Sequence, residues 1–134
     1  MEGGFDGILP RTPTALIIMA LTHATPGAPC DVRPLGPRLG ASLSVALFKS
    51  RQLEVIRLVL PAGKTMPPHS VHGEITLQCI EGLLQVELRA GVQVLEPGQL
   101  LFLTGDELHA VSAPVDSSAL LTIVLTPRQE AAPG

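Results

Sequence analysis

From Ala41 onward the chain is a series of short apolar runs separated by turn residues, and this rhythm constrains its fold more than any other feature. Ser42 to Lys49 is one run, and Leu53 to Leu60 is the next, ending at Pro61-Ala62-Gly63. Ile75 to Ile80 stops at Glu81-Gly82. Leu84 to Arg89 alternates, with Val86 and Leu88 on one side and Gln85, Glu87 and Arg89 on the other. That period of two belongs to a strand with one face buried. Ala90-Gly91 leads into Val92 to Leu95, and Glu96-Pro97-Gly98 leads into Leu100 to Leu103. Thr104-Gly105-Asp106 precedes His109 to Ser112, and Asp116-Ser117-Ser118 precedes Ala119 to Thr126. Turn signals at this spacing predict about eight strands in an all-β sandwich or barrel. No segment after residue 49 has the periodicity of an amphipathic helix, and no internal repeat is visible.

Residues 1–40 are written differently. Pro10, Pro13, Pro26, Pro29, Pro34 and Pro37 interrupt any long helix there. Within this extension Leu16 to Leu21 suits a strand or a short buried helix. We read it as a peripheral strand, one that would cover a barrel edge of its own chain or, by exchange, of a partner. The expected organisation is therefore an extension over 1–40, one barrel over 41–127, and a frayed tail over 128–134. A chain of 134 residues, 46% hydrophobic and 16% charged, has enough apolar material for one core without staples.

Composition also excludes partners. With three Phe, no Trp and no Tyr, the chain has almost no aromatic platform for stacking bases, and a net charge of -3 offers no field for phosphates. Nucleic acid is not an expected ligand. Ala15 to Leu21 holds seven apolar residues, far short of the roughly 20 that a spanning helix needs. Glu2 and Asp6 precede it and Arg11 is the only base before it, which does not suit a signal peptide. The expectation is a soluble cytoplasmic protein with no membrane partner. Cys30 and Cys79 are too few for a disulfide framework, and Cys79 sits in an apolar run where a buried thiol is ordinary.

Two stretches carry more than fold information. The first runs from Gly63 through His69, His72, Glu74 and Gln78 to Gly82; the second runs from Gly98 through Asp106 to His109. Together they resemble the two motifs of the cupin superfamily, the first written Gly, five residues, His-x-His, then Glu and Gly, and the second Gly, five residues, Pro-x-Gly-x-x-His. Gly63, His69, Gly82, Gly98 and His109 fall at the family spacing. Val71 stands where the second His would be, with His72 one place late. Ile75 stands at the Glu position, with Glu74 beside it, and Thr104 and Asp106 replace the Pro and the Gly of the second motif.

The resemblance implies a single cupin-type β-barrel, a double-stranded β-helix or jelly roll, with His69, His72 and His109 at one end of its interior. It implies a divalent transition metal on these three residues (Fe, Zn, Ni, Mn or Cu), with Glu74 as a weaker candidate for a fourth ligand. Neutral imidazoles suit such ions, and three protein ligands leave positions for water and substrate. In a regular strand, residues two apart share a face, so His72 joins His69 only if the approach through Pro67-Pro68 is irregular. Leu77, Cys79 and Phe102 are expected to line an apolar pocket, together with residues such as Val45, Leu47 and Phe48. Two functions follow from this pattern. One is a metal-dependent, dioxygenase-like enzyme acting on a small organic molecule. The other is a metal-free or weakly metallated binding or sensor module using the same pocket, which the missing Glu and displaced His favour. A homodimer is expected, since small cupins commonly pair and the extension has a strand to exchange.

Overall fold

In the computed structural model, which describes residues 23–126, each apolar run after residue 42 forms a strand. In chain order these are β1 (Val45–Lys49), β2 (Leu53–Leu60), β3 (Thr65–His69), β4 (Ile75–Glu81), β5 (Leu84–Leu88), β6 (Gly91–Leu95), β7 (Leu100–Leu103), β8 (His109–Ser112) and β9 (Ser117–Val124). A short 3-10 helix, Gly36–Ala41, precedes them. The Leu16 to Leu21 run and the tail after residue 127 lie outside the described residues.

All pairings are antiparallel. A five-stranded sheet in the order β1-β2-β9-β4-β7 faces a four-stranded sheet in the order β3-β8-β5-β6. This is the jelly-roll barrel that the cupin resemblance implied, within the sandwich-or-barrel class predicted by the strand rhythm. Alternation decides what enters its core. Ala46, Ile56, Leu58, Leu77, Cys79 and Ala119 meet Leu84, Val86, Leu95 and Val111 from the opposite sheet. Leu84, Val86 and Cys79 have no exposed surface. Gly82 makes the turn from β4 to β5 with φ of 86°. A Cβ there would overlap the Ser117 hydroxyl and the Asp116 carbonyl, so the position takes only glycine.

Strand β3 was not among the expected strands. Its centre is Pro67-Pro68, two residues without an N–H, and such a pair reads as a turn. The structure accommodates it because β3 is an edge strand, bonded among the described strands to β8 alone.

The outer face of the five-stranded sheet is partly covered by the segment before β1. Arg57 projects outward from β2, yet only 6% of it is exposed. Its guanidinium donates to the carbonyls of Arg33 (2.7 Å) and Asp31 (3.1 Å). At the end of β4, the Glu81 carboxylate accepts from the N–H groups of Leu35 (2.8 Å) and Gly36 (3.0 Å) and from the Ser118 hydroxyl. Burial raises the Glu81 pKa, but these hydrogen bonds outweigh it and hold the carboxyl below the usual carboxylate range. The two side chains strap residues 31–36 across the sheet, and Leu39 is buried beside them.

Candidate functional site

The site begins with a break in register. On β3, Met66 lies opposite Val111, and His69 lies opposite His109. Three steps on β3 therefore match two on β8, which is one extra residue and hence a β-bulge at Pro67-Pro68. Without the bulge, His69 would fall on the face opposite to Met66. With it, His69 turns to the same side as Met66, which packs on the core. His109 shares that side with the buried Val111, and only 5% of it is exposed. On its other flank, His109 lies opposite Leu88 of β5.

The two rings meet at 4.5 Å between centroids, inclined by 53°. The Nδ1 of His109 is 2.9 Å from the Glu107 carbonyl, and the Nδ1 of His69 is 3.3 Å from the Pro67 carbonyl. A carbonyl oxygen only accepts, so a neutral ring bonded this way carries its proton on Nδ1 and leaves a lone pair on Nε2. Burial of the half-buried His69, and then the neighbouring His109, lower the His69 pKa, which favours this neutral form.

His72 does not join them. It is exposed, and its Nδ1 lies 3.3 Å from Oδ1 of the equally exposed Asp106. The Asp106 N–H also donates to the Val71 carbonyl at 2.8 Å. Asp106 occupies the family's glycine position and adopts φ of 68°, the left-handed conformation for which that glycine is used and which Asp tolerates. Two departures from the cupin motifs, Val71-His72 and Asp106, thus contact each other and tie the loop before β4 to the loop before β8. Gly105 packs on the His72 backbone so closely that a Cβ would overlap the His72 carbonyl. The sequence signal for this contact was the pair of departures, each noted singly.

The remaining candidates separate by strand face. Glu74 is exposed, and only its backbone carbonyl is engaged, accepting from Val124 at 2.9 Å. Leu77 and Cys79 do point inward, at 2% and 0% exposure, but they are core residues. Burial pushes the Cys79 thiol pKa up, which disfavours the nucleophilic thiolate. Phe102 is a correction: it is 57% exposed. On β7 it is Leu101 and the buried Leu103 that face the core, so Phe102 lies opposite Thr76 on the outer face. Val45 and Phe48 are also on the outer side, opposite Arg57 and Val55, because a register shift between Ala46 and Phe48 reverses the faces.

Among the described residues, no three His, Cys, Asp or Glu side chains gather closely enough to hold a metal ion. His69 and His109 supply two nitrogens, whereas a catalytic zinc site is built on three protein ligands. The described residues do not complete such a set.

Comparison with known proteins agrees on the fold. No protein-family model matches the chain, and no curated protein matches it. Solved structures do. A cupin superfamily protein from Desulfitobacterium hafniense is similar at 17% identity and a TM-score of 0.62, over 72% of this chain and 94% of that one. A RmlC-like cupin from Desulfovibrio desulfuricans is 24% identical with a TM-score of 0.56, over 61% of this chain and 80% of that one. A conserved protein of unknown function from Streptococcus pyogenes is 23% identical with a TM-score of 0.59, over 63% of this chain and 74% of that one. The described residues have the cupin fold, as one small barrel.

Proposed function

We propose that this protein is a small-molecule-binding cupin module whose barrel end receives a ligand carrying an N–H or O–H donor. The observation that supports this reading is the contact between the His69 and His109 rings, 4.5 Å apart at their centroids, with both Nδ1 atoms on main-chain carbonyls and both Nε2 atoms left as acceptors. A buried and a half-buried acceptor to which no described residue donates favour a ligand that supplies the donor. The surrounding side chains, Met66, Leu88 and Val111, are apolar, as in most small-ligand sites, and would hold the carbon skeleton. A binding role suits the donor set better than the dioxygenase-like alternative. His72 is engaged with Asp106, Cys79 is disfavoured as a nucleophile, and among the described residues no third metal donor stands beside the ring pair.

Thermal-shift measurements on untagged protein test the proposal, using a panel of small polyols, amines and amides. A ligand at 100 times its Kd stabilises by about 2.7 kcal/mol, a readily measured shift. The expected result is a shift in the wild type that is lost in His69→Ala and His109→Ala, both still folded. Equal shifts in all three proteins, or none for any compound, would overturn it. Elemental analysis of the same preparation covers the metal reading: near one metal per chain, lost in both variants, would replace binding by metal-dependent chemistry.

A further inference from the structure

The barrel end that holds the histidine pair has a second wall, defined by the registers of the five-stranded sheet. Strand β3 leads through residues 70–74 into β4, and β7 leads through residues 104–108 into β8. The start of β4 and the end of β7 therefore lie at the same end as His69 and His109. There Ile75 is in register with Leu103 on one side and with Ile123 of β9 on the other. Ile123 lies in turn opposite Glu54 of β2, and Glu54 lies opposite Lys49 of β1. Residues directly opposed on antiparallel strands share a face. Ile123 packs on the core, as do Ile56, Leu58 and Leu60 at the alternate positions of β2. Glu54 thus belongs to the inner face, half-buried at the rim.

Two rows of side chains therefore meet at this rim. The four-stranded sheet supplies His69, His109 and Leu88. The five-stranded sheet supplies Glu54, Ile123, Ile75 and Leu103, with Lys49 beyond Glu54. Strand β2 turns into β3 through residues 61–64, so the two strands form one flank of the barrel, and Glu54 stands on the flank of His69. Core packing does not call for a carboxylate here, because drawing it out of water costs free energy and adds no apolar contact. Lys49 is exposed. The ion pairs among the described residues, Arg33 with Asp31 and His72 with Asp106, leave Glu54 out. An ionised carboxylate only accepts hydrogen bonds, and so does Nε2 of a ring whose proton is on Nδ1. Glu54 and the ring pair do not gather tightly enough to hold a metal ion, so what joins these acceptors is a molecule with donors at two points.

We propose that Glu54 is a specificity-determining residue of this barrel end, and that its ligand is a small organic cation, an amine carrying a second N–H or O–H donor. The ammonium meets the Glu54 carboxylate, the second donor meets a histidine Nε2, and the carbon skeleton rests on the apolar residues of the two rows. An ammonium has three donors and no acceptor, which matches a rim of acceptors. Charge-assisted hydrogen bonds are also stronger than neutral ones, so Glu54 favours an amine over an alcohol of the same shape and rejects a carboxylate. The inference rests on the ligand reading above and narrows it to one charge class.

NMR titration of the full-length protein at about pH 8 tests the inference; there aliphatic amines are ordinarily protonated, and imidazoles and carboxylates deprotonated. The probes share one ring and one hydroxyl: 4-aminocyclohexanol, 1,4-cyclohexanediol and 4-hydroxycyclohexanecarboxylate. The amine should bind the wild type about tenfold more tightly than the diol, and the carboxylate more weakly than either. Glu54→Gln should bring the amine to the level of the diol and leave diol binding unchanged. Glu87→Gln removes the same charge from the exposed face of β5 and should alter none of the three. An amine no tighter than the diol in the wild type, or a preference that survives Glu54→Gln, would overturn the inference. Diol binding that is lost in His69→Ala would still uphold the ligand reading in that case. Binding of none of the three probes to the wild type would overturn both, and this outcome does not depend on any variant folding.

Discussion

Two polar clusters on opposite sides of the barrel wall differ in how completely their atoms are used. On the outer face, Glu81 and Arg57 direct their polar atoms at partners in the protein: three donors around the carboxylate and two carbonyls at the guanidinium. On the inner face, His69 and His109 each spend one nitrogen on the backbone and keep the other. Satisfied groups of the first kind hold a structure together, whereas acceptors left over in a half-buried position are what a ligand finds. The contrast separates a structural cluster from a candidate binding one with no appeal to family.

Removing the outer cluster should have the largest effect. Glu81→Ala strands the Leu35 and Gly36 N–H groups and the Ser118 hydroxyl, so stability in urea should fall by about 1–3 kcal/mol. Trypsin should then cut faster after Arg38, while the ligand-induced shift survives. A variant as stable as the wild type would show that the strap is ornamental to the fold. The pH dependence should divide the same way. Because the folded-state pKa of Glu81 is depressed, its contribution is present above the unfolded value, about 4.3, and is lost as pH falls through the folded one.

The inner pair should respond at higher pH and more weakly. His69 is also depressed, but it is a base whose neutral form the fold favours. The unfolded chain takes up its proton near about 6.5 while the folded chain stays neutral, so stability is fully present above that value and declines as pH drops below it. Urea midpoints between pH 7.5 and 5 should show this decline in the wild type and a shallower one in His69→Gln. Identical slopes would detach the titration from this ring. The smallest effect should come from the exposed pair between the loops. His72→Ala should change stability by roughly 0–1 kcal/mol, measured in the same way. A loss of ligand affinity matching that of His69→Ala would instead place His72 in the site.

Much of the fold was legible along the chain because alternation and glycine turns are local. The limits of β2, β7 and β8 coincide with apolar runs read directly from residues 53–60, 100–103 and 109–112. Strand β3 was not legible, since Pro67-Pro68 is locally a turn and becomes a strand only where an edge tolerates missing donors. Phe102 was misplaced for a related reason. Its apolarity suggested the interior, but the face of a strand residue follows from the register with its neighbour, and β4 sets that register.

The site divides similarly. His69 and His109 were legible as a pair only through the resemblance to the cupin motifs, which the spacing of Gly63 and Gly98 ahead of them carries. That His72 would turn to Asp106 was not, because the two residues are 34 positions apart and their contact exists only once both loops are in place. The same holds for Glu81, 46 residues from the Leu35 N–H that it caps.

The sequence alone determined an all-β chain with turns at particular glycines. These follow from backbone sterics and a period of two, which act over a few residues. Only the tertiary structure decided which histidines converge, which aromatic stays outside, and what the buried Arg57 and the half-buried Glu81 hold. Those depend on bulges and register, which are settled when distant strands pair and the core closes around them.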